Sequence, residues 1–284
     1  MNYIKLIFIV LIISNTSSFL YGQTISKEIE VVNKRYLWTN FLLTKINSFS
    51  GAKHLKVRYF AGNNAYNRII EWSKNNYVVA ITSGTYMSHL DVRQSLPLGI
   101  CVERGVVVNR KIENWGALVL IDSLGKLTIH DFESLFLNEI CDSYNSSFNL
   151  KSNKDRFDFL SCCEEKKMSV FQTHLLYFEN ELRIGYPNFK KPSKRRFLVN
   201  AKISDGNDLV YILQVNNHLE LYDATLRAKD FLSDDIKLKD FSIINLDAGA
   251  NDVLVIFNEY GSIVKDINGA SSIDNSSDLL VFYY

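Results

Sequence analysis

The residues best suited to chemistry lie in the stretch IINLDAGAND, which covers residues 243 to 252. Asp247 ends an apolar run there, and no side chain larger than a methyl group follows until Asn251. Burial at the end of a strand can raise the pKa of a carboxylic acid, which suits acid–base or nucleophilic work. Two interpretations remain open. Either the small residues clear space for a ligand beside Asp247, or Asp247 bonds its own backbone in a tight turn.

Three further side chains carry suitable chemistry. Arg196, in RRFLVNAK, is the best phosphate ligand, because a guanidinium places paired N–H donors on phosphate oxygens. Its alternatives are a surface arginine of the basic loop FKKPSKRR, or Arg195 if the register shifts by one residue. His174 is an acid–base candidate, although a single histidine in a hairpin is more often structural. Asp252 is a candidate second carboxylate, but its position at a strand edge predicts exposure to solvent.

Composition and charge limit the class of protein. The chain has 284 residues, of which 47% are hydrophobic, and its formal net charge is +1. This composition is globular and lacks the basic excess of nucleic-acid-binding proteins. We therefore expect no nucleic-acid partner.

The N-terminus predicts export. Lys5 is the only charged residue before the apolar run LIFIVLII, and NTSSFLYGQ follows it. A positive start, a short apolar core and a small-residue exit are typical of a secretory signal peptide, which we assign to residues 1–22. Cleavage after Ser18 fits the small-residue rule better, and cleavage after Gly22 leaves Gln23 as the new N-terminus. An uncleaved anchor is the alternative, but the run is too short to span a bilayer. The expected location is secreted or periplasmic, with no membrane span after cleavage.

The four cysteines, at positions 101, 141, 162 and 163, allow a disulfide in an exported chain. Cys162 and Cys163 are adjacent, so each pairs more easily with a distant cysteine than with its neighbour. The cysteines fit no zinc pattern, and His89 and His130 have no metal spacing with His174. We predict one disulfide or buried free thiols, no metal and no cofactor.

Strand and hairpin patterns dominate the remaining chain. Residues 27–47 are ambiguous between strand and helix, whereas 63–76 and 221–235 show the apolar spacing of helices. Residues 133–168 are polar and weakly periodic, which favours a surface insertion within one domain. Hairpin turns are expected at Gly105, at residues 123–125, at Glu179–Asn180 and at Asp205–Gly206. The pattern predicts an α+β fold, with a mixed, mostly antiparallel β-sheet core and two or three flanking helices.

The order of these motifs resembles the phosphodiester glycosidase domain, the family of the lysosomal uncovering enzyme. Over roughly residues 50 to 284 the chain carries, in order, ITSGTYM, QTHLLYF, RRFLVNAK, DATLRAKDFL, IINLDAGAND and LLVFYY. The family has a turn Asn-Ala-Gly-aromatic-Phe, a Gly-Pro hairpin, an Arg-Thr-Ala strand, a helix and a turn Leu-Asp-Gly-Gly-Gly-Ser in that order. The resemblance implies one such domain over residues 23–284.

Matching the motifs residue by residue gives the site that the resemblance implies. Asp247 takes the catalytic position. The substrate-binding positions are Thr82, Gly84, Tyr86, His174, Arg196, Gly249 and Asn251. The chain departs from the family where Thr82 replaces an Asn, Phe197 a Thr and Asn251 a Ser, and where alanines at 248 and 250 replace glycines.

The resemblance implies hydrolysis of a sugar-1-phosphodiester, with full or impaired activity, so the expected partner is a glycan or sugar phosphodiester. The alternative is a non-catalytic relative that binds a glycan or a protein in the same cleft. The retained Asp247 and Arg196 favour the hydrolase, and the lost Asn and Ser favour the binding protein. A third interpretation is an unrelated exported β-rich structural protein.

Overall fold

A computed structural model gives the fold of the chain. It describes residues 21–24, 28–50, 53–88, 95–133, 141, 148–185, 192–202, 208–249, 251–269 and 273–284. Every strand pairing within these ranges is antiparallel. The predicted α+β class, with a mostly antiparallel core and flanking helices, is confirmed.

Sheet I has eight strands and draws them from both halves of the chain. In order across the sheet they are β1 (Tyr21–Thr24), β2 (Ile29–Tyr36), β3 (Thr39–Ile46), β16 (Asp208–Leu219), β15 (Ser193–Lys202), β17 (Asp240–Leu246), β13 (Leu175–Phe178) and β14 (Glu181–Leu182). The ambiguous region 27–47 is therefore a β-hairpin, since β2 and β3 pair along their whole length.

Two five-stranded sheets complete the architecture. Sheet II contains β11 (Leu127–Asp131), β10 (Ala117–Ile121), β12 (Ser169–Thr173), β8 (Cys101–Glu103) and β9 (Val106–Asn109). Sheet III contains β19 (Ile263–Ile267), β18 (Leu254–Phe257), β7 (Val78–Ser83), β20 (Asp278–Tyr283) and β6 (Lys56–Ala61). A small ribbon joins β4 (Phe49–Ser50) to β5 (Lys53–His54).

The three sheets enclose a common core, and one helix covers the outer face of each. Inward-facing side chains such as Leu42 of sheet I, Phe171 of sheet II and Leu280 of sheet III belong to one buried cluster. On the outer faces, α1 (Ala65–Ser73) packs on sheet III, α2 (Asn153–Glu165) on sheet II and α3 (Leu221–Asp230) on sheet I. A π-helical turn (Phe231–Asp235) extends α3, and a 3-10 turn (Ile273–Asn275) precedes β20. The helices predicted at 63–76 and 221–235 are confirmed.

The described part of the expected polar insertion, residues 133–168, contains a helix and two buried apolar anchors before it. Phe148 and Leu150 are buried there, and α2 seals the outer face of sheet II with Phe159. The weak periodicity arises because α2 buries Phe159, Leu160, Cys162 and Cys163, while the apolar Phe157 is exposed. Residues 134–140 and 142–147 lie outside the described ranges.

Both predicted states of the cysteines occur together. Cys141 and Cys162 form a disulfide with their Cα atoms 6.3 Å apart, while Cys101 and Cys163 are buried free thiols. Burial raises the pKa of both thiols above the usual range.

The hairpin turns predicted at Gly105, residues 123–125 and Glu179–Asn180 are confirmed. The turn at Asp205–Gly206 lies outside the described residues. So does most of the predicted signal peptide, although its last two residues, Tyr21 and Gly22, belong to β1. Cleavage after Ser18 would leave β1 whole, whereas cleavage after Gly22 would divide it. None of the described helices is long and apolar enough to cross a membrane.

Candidate active site

The three sheets converge at one place, where strands from each of them end. The backbone N–H of Asp247, after β17 of sheet I, donates to the carbonyl of Gly84, after β7 of sheet III, at 2.9 Å. The Ser83 hydroxyl, at the end of β7, donates to the Asp247 carbonyl. Thr173, at the end of β12 of sheet II, donates from its hydroxyl to the Asn245 carbonyl at 2.6 Å. One backbone hydrogen bond and two hydroxyl-to-carbonyl hydrogen bonds therefore hold together three motifs that lie far apart in the sequence.

Asp247 has both of the features that its sequence left as alternatives. Its side chain is a turn acceptor, since Oδ1 accepts the backbone N–H of Gly249 at 3.0 Å. The same residue is only 6% exposed and lines a cavity. Burial raises the pKa of Asp247 to about 6, although the Gly249 amide and the Arg196 charge oppose the shift. A carboxyl that titrates near 6 is suited to proton transfer at neutral pH.

The cavity has a volume of about 290 Å³ and opens between β15 and β17. Its lining residues are Tyr86, Met87, Ser193, Lys194, Arg195, Asn245, Leu246, Asp247, Ala248 and Gly249. Asp247 supplies the carboxylate among these described residues, and Lys194 and Arg195 supply the cations. The site thus combines one titrating acid with positive charge on the neighbouring strand.

Arg196 lies behind this cavity and does not line it. Its guanidinium is fully buried, pairs with Asp252, and donates to Gln214 Oε1 at 2.7 Å and to the Val253 carbonyl. Arg195 lines the cavity instead, because Arg195 and Arg196 are successive residues of β15 and point to opposite faces. A β-bulge between Ser193 and Arg195 interrupts this alternation, and Lys194 lines the cavity as well. The alternative of a surface arginine at position 196 is wrong, and the residue at the cavity is the one expected for a register shifted by one.

The expected solvent exposure of Asp252 is also wrong. Asp252 is buried and forms the ion pair with Arg196. Burial raises the pKa of Asp252, and the charge of Arg196 opposes the shift. The sequence pattern misleads because Asp252 precedes β18 on the side that faces the buried guanidinium.

Three of the predicted substrate-binding residues form the layer behind the cavity. Thr82 is fully buried at the centre of sheet III, between Leu254 and Leu280. Gly84 passes so close to Asp278 that an added Cβ would lie 3.0 Å from its Oδ1. Asn251 is buried and accepts from Ser276 Oγ at 2.6 Å. None of these three residues lines the cavity.

An aromatic group borders the cavity. Tyr86 lines it, and its hydroxyl accepts from Asn245 Nδ2 at 2.5 Å. The rings of Trp115 and His174 lie 5.2 and 5.8 Å from the Tyr86 ring, so His174 belongs to this group behind the lining. Burial raises the pKa of Tyr86 to about 12, which keeps its phenol protonated at neutral pH. Gly249 lines the cavity beside Asp247.

Comparison with known proteins relates the chain to others through its fold. No family model and no curated protein matches its sequence. Its structure is similar to the catalytic domain of zebrafish N-acetylglucosamine-1-phosphodiester alpha-N-acetylglucosaminidase, solved in a form auto-inhibited by its pro-peptide. That match covers 95% of this chain and 85% of the other, at 14% identity and a TM-score of 0.50. A hypothetical protein from Synechocystis matches over 93% of this chain and 64% of its own, at 9% identity and a TM-score of 0.53. The similarity shows a shared fold and a distant structural relation to a phosphodiester glycosidase domain.

Asp278 is a buried acid at the same junction, and it is not among the site residues predicted from the sequence. It begins β20, accepts from the Tyr59 hydroxyl at 2.8 Å and from the Thr85 amide at 3.2 Å, and lies against Gly84. Burial raises the pKa of Asp278 to about 8, and the charge of Asp247 adds to the shift. The only sequence signal is an acid placed directly before the apolar run LLVFYY.

Metal-binding groups and other cavities are the remaining places where a functional site could lie. Among the described residues, no group of three or more His, Cys, Asp and Glu side chains could hold a metal. Two larger cavities, of about 490 and 500 Å³, lie at the other end of β15 around Lys126 and Asn200. They contain none of the predicted site residues, so their size alone does not make them the functional site.

Proposed function

We propose that the chain is an exported hydrolase of sugar-1-phosphodiesters and that the Asp247 cavity is its active site. The observation that carries the proposal is the cavity itself, which is lined by a buried carboxyl of raised pKa and by two cations. The distant structural similarity to a phosphodiester glycosidase supports the reaction class. A volume of about 290 Å³ is at the lower end for small-molecule sites and suits one sugar ring with its phosphate.

In the proposed reaction, Lys194 and Arg195 hold the phosphate, because it needs cationic donors in a partly buried site. Asp247, ionised above pH 6, takes a proton from a water molecule as the water oxygen attacks the anomeric carbon. The bond from that carbon to the phosphate oxygen breaks, and the phosphate leaves with the electron pair. The products are the free sugar and a phosphomonoester, and Asp247 then returns its proton to solvent.

The disulfide supports the export part of the proposal. Disulfides persist mainly in oxidising compartments, and Cys141 and Cys162 form one here. Cell fractionation of the expressed full-length chain tests this directly. Export predicts the protein in the medium or periplasm, shortened at its N-terminus by mass spectrometry. Full-length protein confined to the cytoplasm would contradict it.

The activity is tested by incubating the purified protein with an N-acetylglucosamine-1-phospho-sugar and measuring free N-acetylglucosamine. We expect release by the parent protein and at least about a hundredfold slower release by Asp247→Asn, which keeps the side-chain shape but cannot accept the proton. Met87→Leu is the matched control, because it changes an apolar lining residue and leaves the charges intact. Equal release by the parent and Asp247→Asn would contradict the proposed role.

One observation favours a second candidate function, a non-catalytic protein that binds sugar phosphates. The nearby acids Asp252 and Asp278 are buried and bonded to protein groups, so among the described residues Asp247 is the one carboxylate at the cavity. Many glycosidases use two carboxylates. Binding of a sugar phosphate without any release of sugar would support this alternative.

A further inference from the structure

Asn245 has an unusual hydrogen-bond state for a residue that lines the cavity. It is 1% exposed, and its Nδ2 donates to the Leu246 carbonyl at 2.9 Å and to the Tyr86 hydroxyl at 2.5 Å. A carbonyl can only accept, so the nitrogen must face Leu246, and the orientation of the amide is fixed. Its Oδ1 is buried and has no hydrogen-bond partner among the described residues.

The hydroxyl of Tyr86 is a second group, beside Asn245 Oδ1, with hydrogen-bonding capacity that the described contacts do not use. Its oxygen accepts from Asn245, and its raised pKa keeps the phenolic proton in place. This proton can be donated, next to the buried Asn245 oxygen that has no partner among the described residues. A buried acceptor without a partner costs stability, which favours a ligand group that satisfies it.

The chemistry of the two atoms selects the ligand group. An ionised phosphate has only acceptors, so it cannot satisfy Asn245 Oδ1. A sugar hydroxyl can donate to that oxygen and accept from the Tyr86 hydroxyl at the same time. The cations Lys194 and Arg195 remain free to hold the phosphate of the same ligand.

We propose that Asn245, supported by Tyr86, is the specificity-determining residue of the cavity and recognises one hydroxyl of the sugar ring. This inference rests on the proposed function, because it concerns the substrate of the same cavity. It predicts a preference among sugar phosphates that differ at a single hydroxyl. Sites that hydrogen-bond a substrate hydroxyl reject the analogue that lacks it.

The test compares ligands and variants by titration calorimetry. The probes are glucose 1-phosphate and N-acetylglucosamine 1-phosphate, the monodeoxy analogues of the tighter one, and inorganic phosphate. We expect one monodeoxy analogue to bind the parent protein about tenfold more weakly than its parent sugar phosphate. Asn245→Leu should bind this analogue and the complete sugar phosphate with equal affinity. Its affinity for inorganic phosphate should stay within about twofold of the value for the unmodified protein.

Tyr86→Phe provides a second variant that keeps the ring and removes only the hydroxyl, in case Asn245→Leu does not fold. It should reduce the same preference to about threefold or less. Equal affinity of the parent protein for every analogue, or an undiminished preference in both variants, would overturn the role of Asn245. Binding of inorganic phosphate without binding of either sugar phosphate would overturn it as well. If the parent protein binds no probe, including phosphate, the proposed function itself fails.

Discussion

Two adjacent arginines show how one residue position decides a role. Arg195 lines the cavity, and Arg196 neutralises the buried Asp252 on the other face of β15. The sequence predicts a strand with an arginine near a phosphate, but the two side chains differ only in register, and one residue of shift exchanges the faces. The motif could therefore be located from the sequence, whereas the residue at the cavity could not.

Replacement of each arginine by methionine should separate the two roles. Arg196→Met leaves Asp252 buried without its counter-charge, which should lower the free energy of unfolding by about 3–5 kcal/mol. Arg195→Met should change that free energy by less than about 1 kcal/mol and weaken phosphate binding about tenfold or more. Urea denaturation and calorimetry measure the two quantities. Equal destabilisation by both variants would contradict the assignment.

Asp278 should make the protein less stable as the pH rises. Its folded pKa is about 8, above the usual carboxyl value near 4 that applies after unfolding. Between these pH values the folded state binds more protons than the unfolded state. The stability that protonated Asp278 contributes is therefore complete below pH 4 and is lost as the pH rises to 8. Asp247 acts in the same direction between pH 4 and 6, with its pKa of about 6.

Asp278→Asn cannot ionise and should remove much of this loss. The urea midpoint of the variant minus that of the parent protein should be larger at pH 8.5 than at pH 5. The parent should lose at most about 1.4 kcal/mol per pH unit through this residue. A variant with the same pH dependence as the parent would show that Asp278 is ionised in the folded protein.

At the scale of elements, the hairpins show which turns can be predicted from the sequence. Glu179–Asn180 and Arg104–Gly105 adopt positive φ at both positions, and each pair includes a residue that favours it. Leu37 and Trp38 adopt the same conformation, with φ of 42° and 67°, although neither favours it. This turn gave no sequence signal, which is why residues 27–47 were ambiguous between strand and helix.

The turn at Leu37 and Trp38 should be open to stabilisation. Two-residue hairpin turns with positive φ favour Asn-Gly. Trp38 is 80% exposed, and its ring contacts the Arg35 guanidinium at 4.9 Å, a contact that the control variant loses as well. The double change Leu37→Asn and Trp38→Gly should raise the free energy of unfolding by about 1 kcal/mol. Trp38→Ala is the control, because it removes the ring without relieving the backbone. A double variant no more stable than this control in thermal denaturation would contradict the argument.

At the scale of the whole molecule, the site exists only because three sheets end together. Ser83 and Asp247 are 164 residues apart in the chain, and Tyr59 and Asp278 are 219 apart, yet each pair is hydrogen-bonded. The sequence could predict the class of fold and the turn that carries Asp247, since both follow from local patterns. It could not predict the proposed role of Asn245 or the burial of Asp278, because both depend on contacts between sheets.

The pH dependence of sugar release tests the central claim most directly. If ionised Asp247 activates water in the cavity, kcat/KM for an N-acetylglucosamine-1-phospho-sugar should rise from pH 5 to 7 with its midpoint near 6. Asp247→Asn should be at least about a hundredfold slower and should lose this rise. A pH-independent rate in the parent protein, or an unchanged profile in Asp247→Asn, would contradict the account.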